Sequence, residues 1–172
     1  MEKRIVIRTG DIFMVKLDDC QRYFQYIIDD KSQLSSNVIK VFKRKYPLGS
    51  TLDFEELADC EAECYAHTIV RIGVMQHLWE KVGKASVHDN FDAKFIDGYD
   101  SIPELGMKRW QVWVLNRRRV KCDELPSEYK NADKGAVMPP SSIHYRIQYG
   151  KHFGYWDDPS HPRSPIYKNR NE

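Results

Sequence analysis

The chain has 172 residues, 41% hydrophobic and 30% charged, enough apolar material for one folded domain and too much for a disordered segment. Its 27 basic and 25 acidic residues leave a formal charge of +2, which is neither the field of a dedicated nucleic-acid coat nor the acidity of a DNA mimic. No apolar run approaches the roughly 18 residues a membrane helix needs, the start MEKRIVIRTGD lacks a signal-peptide core, and four cysteines are too few for a disulfide-built secreted domain, so the expectation is a cytoplasmic protein with reduced thiols.

In chain order, Gly10-Asp11 supplies a permissive backbone and a turn-forming carboxylate ahead of the first strand. Phe13, Val15 and Leu17 alternate along one side of an extended chain, and Phe24, Tyr26 and Ile28 do so after the polar patch Asp18 to Gln21; the pattern predicts a hairpin. The run NVIKVFKRKYP predicts a third strand that stops at Pro47. Asp53 with Glu56 three residues on has the form of a capping box. The helix it predicts carries Phe54, Leu57, Cys60, Cys64 and His67 as its buried stripe and turns Glu55, Asp59 and Glu63 to water.

AHTIVRIGV then reads as a strand and MQHLWEKVGK as a short helix or turn ending at Gly83. Residues 85–106 read as a loop holding a short strand at AKFI. RWQVWVLN returns to the β pattern, KNADKGAVMPPSS reads as an exposed connection, and SIHYRIQYG alternates cleanly enough to predict a last strand. The polar, three-proline end DDPSHPRSPIYKNRNE reads as a weakly packed tail. The expected class is α+β, mostly β: a curved antiparallel sheet or small SH3-like barrel with one or two short helices, over residues 1–150, followed by an extended tail over 151–172.

Candidate chemistry is sparse. Cys60, Cys64 and His67 share a face if helical, and thiolate with imidazole suits zinc, but there is no paired CxxC and no second ligand pair, so small apolar thiols turned inward are the preferred reading and no metal is expected. No local signature marks a cysteine nucleophile with a histidine base, and the Asp18-Asp19, Asp29-Asp30 and Asp157-Asp158 pairs sit where strands should end and Asp favours turns. GxGxxG, P-loop, HExxH and GxSxG motifs are absent from the sequence. The expectation is therefore no catalytic residue, no cofactor and no enzymatic activity.

Two stretches are candidates for recognition. Arg117, Arg118 and Arg119 follow Trp110 and Trp113, and with Lys108 and Arg109 they make a locally cationic, aromatic segment; a solvated strand edge is the alternative. At HFGYWDD, His152, Phe153, Tyr155 and Trp156 either line a pocket or cap the end of the fold. The partner-binding candidates are thus Trp110, Trp113, Arg117, Arg118, Arg119, His152, Tyr155 and Trp156.

The opening GDIFMVKLDDCQRYFQYIIDD, with VIKVFKRKYP, CYAHTIVRIGVMQHLWEKVG and RWQVWVLN after it, resembles the immunity protein 26 family of bacterial polymorphic toxin systems over roughly the first two thirds of the chain. The resemblance implies a mostly β protein that binds and neutralises a cognate toxin without catalysis, through a few aromatic and arginine anchors in a buried patch. GDIF is also similar to the first strand of small barrel endoribonuclease toxins of the MazF and PemK type. Those carry an Arg-Pro pair before the next strand, where this chain has Arg22 followed by Tyr23. That departure places a nucleic-acid-binding or RNA-cleaving barrel, using Arg22, His144, His152 and the Arg117 to Arg119 run, second; nucleic acid is not the expected partner.

Overall fold

The computed structural model describes residues 5–88, 92–98, 110–154, 156–161 and 164–165. Its core is a five-stranded sheet in the order β4-β3-β2-β1-β5, formed by β1 (Asp11–Lys16), β2 (Gln21–Asp30), β3 (Ser36–Phe42), β4 (Ala62–Thr68) and β5 (Glu80–Lys84). A second sheet has the order β8-β7-β6-β9, from β6 (Lys94–Gly98), β7 (Trp110–Val114), β8 (Val120–Cys122) and the two-residue β9 (Asp133–Lys134), which runs parallel to β6. The class is mostly β with short helices, as the alternation implies, but neither sheet closes on itself: β4 and β5 are opposite edges of the first.

The predicted hairpin forms, with Phe13 opposite Phe24 and their rings stacked at 5.1 Å. Gly10 answers for its residue type twice: its φ is +93°, and a Cβ there would lie 2.7 Å from the carbonyl oxygen of Ala85. Asp11, next to it, is buried and accepts the Arg8 N–H at 2.7 Å and the Lys81 ammonium at 2.8 Å, so the polar start of β1 is tied to β5.

Period-2 alternation gives the sheet two different faces. Phe13, Val15, Phe24, Tyr26, Ile39, Val41, Cys64 and Ala66 form one, covered by α2 (Val70–Met75) and α3 (Pro140–Tyr149) through Val70, Ile143 and Ile147. On the other, α1 (Phe54–Ala58) covers Ile12, Tyr23 and Phe42, while Phe95 and Trp113 of the second sheet cover Ile27 and Val38. The sheet is thus a filled middle layer, and each fully buried aromatic or branched side chain contributes about 1.5–3 kcal/mol.

Three expected elements differ. The helix begun at Asp53 is capped as predicted, the carboxylate accepting the Glu55 N–H at 2.9 Å, but it ends at Ala58. Residues 62–68 instead pair with β3, Val38 opposite His67 and Val41 opposite Cys64, because strand pairing and burial override a helical period even where Glu61, Ala62, Glu63 and Ala66 favour helix. The residues expected to be a strand through Val74 leave β4 at Thr68 and become α2, and the expected helix or turn at 75–84 is a turn, with His77 at φ +56°, running into β5.

SIHYRIQYG, the expected last strand, is the C-terminal part of α3. Its alternating residues are also four apart, so Ile143 and Ile147 share the buried face while the rings of Tyr145 and Tyr149 meet at a tilt, 4.5 Å apart, on the outer side. Pro140 at the first turn and Gly150 in the left-handed cap at φ 70° are the start and stop signals that decide for helix. Among the described residues of the tail, Trp156 is buried with Ile96 and Val112, and its carbonyl accepts the Ser164 hydroxyl at 2.7 Å.

Where α2 meets the sheet there is no room for a side chain at Gly73, since a Cβ there would fall 1.9 Å from the Trp79 ring. Trp79 is itself fixed edge-on to Phe24 at 5.1 Å and by its indole N–H donating to the Val70 carbonyl at 3.0 Å. Gly73→Ala is therefore expected to destabilise the protein by about 1–3 kcal/mol through overpacking, measured by urea denaturation, although alanine is the better helix former. An unchanged or raised midpoint would contradict this packing.

Candidate functional site

β4 is where buried charge enters the fold. Its register slips between Val41 and Phe42, which face Cys64 and Ala62, so Glu63 is the extra residue of a bulge, and a bulge re-aims a side chain that regular alternation would send elsewhere. Glu63 meets two arginines. One oxygen pairs with the guanidinium of Arg22, which is 2% exposed and also donates to the carbonyls of Phe42 at 2.9 Å and Ile147 at 3.3 Å. The other accepts from Arg146 of α3 at 3.3 Å. Sheet, bulge and helix are joined at one carboxylate.

Beside it, the carboxylate of Asp133 accepts the Tyr65 N–H at 2.8 Å and so ties β9 to β4. Burial pushes its pKa up to about 7, against the opposing pull of the Tyr65 N–H and of Arg146. A cavity of about 260 Å³ opens here, lined by Glu63, Tyr65, Asp92, Lys94, Glu128 and Asp133 among others. A second cavity of about 220 Å³ shares Ala62, Tyr65 and Asp92 with it and extends past Lys40 and His88. The Cys64 thiol, beside this cluster, has its pKa raised by burial and stays protonated, which disarms it as a nucleophile.

A second buried pair is structural. Asp30 accepts His67 Nε2 at 2.9 Å, with the N–H groups of Ser32 and Gln33 at 3.0 and 2.9 Å on its other oxygen. Burial alone would raise the Asp30 pKa, but the hydrogen bonds together outweigh it and hold the carboxyl below its usual range, while burial lowers the pKa of His67. The pair is therefore an ionised aspartate and a neutral imidazole, the ring set edge-on to Phe95 at 4.4 Å.

The outer side of the α2–α3 layer has a different character. Ile69, Ile72 and Met75 recur at three-residue spacing on the outward side of α2, and Val137, Tyr149 and Phe153 are exposed before, on and after α3, with Met75 58% and Phe153 71% exposed. Tyr145 contacts both Tyr149 and Phe153, at 4.5 and 5.5 Å between ring centroids, so these three form one aromatic group. These side chains stand outside a layer whose inner side is filled by Val70, Ile143 and Ile147.

The sequence-predicted candidates fall apart by burial. Trp110, Trp113 and Trp156 are buried, Trp113 only 1% exposed; Trp113 packs with Phe95, Trp156 with Ile96 and Val112, and the Trp110 ring lies against Gly98. Arg117 and Arg118 are exposed in the β7–β8 turn, whereas Arg119 lies over the Trp113 ring at 4.5 Å and donates to Gln111 at 3.3 Å. His152 is half-buried against Trp156 and its ring pairs with Asp157 at 3.2 Å. Tyr155, Lys108 and Arg109 lie outside the described residues. The seven described candidates are divided among buried, half-buried and exposed positions.

Cys60, Cys64 and His67 do not converge either. Cys60 follows α1, and Cys64 and His67, an odd number of residues apart on β4, point to opposite faces. Among the described residues no group of three or more His, Cys, Asp or Glu side chains is placed to hold a metal ion. Arg22, the cation required by a phosphate-cleaving barrel, is enclosed and paired with Glu63, out of reach of a nucleic-acid backbone. Sequence reasoning missed Glu63, expected to face water, and Asp133, expected in an exposed connection; both acquire their surroundings from chain segments far away in sequence, and no local signal marks them.

The raised Asp133 pKa has a defined consequence. The folded state keeps a proton that the unfolded chain releases near pH 4, so this residue's contribution to stability is present below that pH and is lost as pH rises through about 7. Asp133→Asn, which keeps an oxygen for the Tyr65 N–H, is expected to stabilise the protein by about 1–3 kcal/mol at pH 8, the gain shrinking steadily toward pH 5. Denaturant titrations at the two pH values check it, and a pH-independent difference would contradict it.

No family model, curated protein or solved structure matches this chain.

Proposed function

We propose that this chain is a non-catalytic, immunity-type protein that binds and neutralises a cognate bacterial toxin through the outer side of its α2–α3 layer. The observation that carries the reading is the concentration of exposed large apolar side chains there, Ile69, Ile72, Met75, Val137, Tyr149 and Phe153, over a layer whose inner side is already filled. Binding energy in such surfaces comes from a few large anchors that exclude water, not from the whole contact area. The sheet beneath supplies what the anchors need, a rigid base, because α2 is locked by Trp79 and α3 by the Arg22–Glu63–Arg146 cluster. The resemblance of the GDIF opening to an immunity family points the same way and gives the partner its class.

The reading replaces the tryptophans as anchors with residues of the two helices. The test is co-expression with the product of the adjoining toxin gene. Co-purification and rescue of growth are expected, and Ile72→Asp and Met75→Asp, both at exposed positions, should weaken binding at least about tenfold without changing the circular dichroism spectrum. A chain that neither binds nor protects, or variants that bind like the unaltered chain, would contradict it.

A further inference from the structure

The same two helices have a one-sided charge. α2 reads VRIGVM and α3 reads PSSIHYRIQY, so neither contains Asp or Glu, while Arg71, His77, His144 and Lys151 stand on or directly after them. Arg71, His77 and Lys151 are exposed and His144 is half-exposed. Three carboxylates that border the layer are engaged, and Glu80, exposed at the start of β5, is a further acidic group after α2. Glu63 lies between Arg22 and Arg146, Asp157 accepts the His152 backbone N–H and pairs with its ring, and Asp29 accepts the Tyr26 hydroxyl at 2.6 Å and the Asn37 amide at 2.8 Å. Lys31 stands beside Asp29 in the hollow that reaches Ile69. The apolar anchors are therefore accompanied by two exposed cations, Arg71 and Lys151, with no Asp or Glu on either helix, in a chain whose overall charge is only +2.

From this juxtaposition we infer that the α2–α3 face takes an acidic amphipathic helix of the partner protein, its apolar stripe on Ile72, Met75 and Tyr149 and its carboxylates toward Arg71 and Lys151. The inference rests on the protein-binding reading above and adds the chemistry of the partner. Complementary charge of this kind fixes orientation and raises the association rate more than it deepens affinity, and apolar positions at helical spacing in the partner match anchors presented by two helices.

The experiment uses two synthetic helical peptides with the same leucine stripe, one with glutamate and one with lysine on the polar face, titrated to about 1 mM into isotope-labelled protein with backbone amide shifts as the readout. The glutamate peptide is expected to shift residues of α2 and α3, to weaken at least about fivefold with Arg71→Glu or Lys151→Glu, and to weaken as salt is raised; the lysine peptide is expected to bind at least about tenfold more weakly. Equal binding of both peptides to this face, or tighter binding of the lysine peptide, would overturn the charge assignment while leaving the face as a binding surface. If neither peptide shifts α2 or α3 the inference is wrong, and the co-expression result for Ile72→Asp and Met75→Asp then decides the broader reading separately.

Discussion

The carboxylate of Glu63, enclosed between Arg22 of the central sheet and Arg146 of α3, is the interaction on which the arrangement of this molecule depends. Nothing in a generic β-sheet requires a helix at its end. What places α3 there is the pairing of Ile143 and Ile147, which bury against the sheet, with an ion cluster at the far end of the same helix. The buried guanidinium of Arg22 and the partly buried one of Arg146 cost free energy to desolvate, and a shared carboxylate, with the carbonyls of Phe42 and Ile147 accepting from Arg22, offsets that cost. Such a cluster does little for stability relative to an apolar replacement, but once present it is strongly destabilising to break, because an uncompensated charge is left behind. Its consequence is specificity of placement: α3 has one register on the sheet.

That placement determines which surfaces are available. Filling the sheet's first face with α2 and α3 uses Val70, Ile143 and Ile147 and leaves Ile72, Met75, Tyr149 and Phe153 outside. Covering the second face with α1 and the second sheet uses Trp113, while Trp110, an odd number of residues away on β7, is buried on that sheet's other side against Gly98. Among the described residues, six of the nine exposed large hydrophobic side chains stand on or beside these two helices, and Val6, Leu48 and Val120 do not. The cavities beside β4, by contrast, are lined by charged groups already answered by their neighbours, as Glu63 is by two arginines and Asp133 by the Tyr65 N–H.

Much of the sheet was legible in the sequence because strand alternation is a local signal. Phe13, Val15 and Leu17 with Phe24 and Tyr26 announce β1 and β2, the N-cap at Asp53 announces α1, and WQVWV announces β7. One failure comes from residues two apart being also, every second time, four apart. Ile143, Tyr145, Ile147 and Tyr149 fit both periods, and Pro140 with Gly150 were the only local arbiters. Cys60, Cys64 and His67 fit a helical face equally well, yet pairing with β3 separated them. The exposed set on α2 was hidden because an apolar residue on the outside reads, in sequence, like one on the inside. Glu63 and Asp133 could not be found at all, since each is defined by partners from other elements.

Hydrogen exchange of the amides of α3 in Glu63→Ala, compared with the unaltered protein, tests the central claim most directly. If Glu63 is what holds the helix, protection should fall in residues 143–149 while the amides of β1 and β2 keep most of theirs, with a global loss of about 3–5 kcal/mol. Unchanged protection across α3 with unchanged stability would contradict the account.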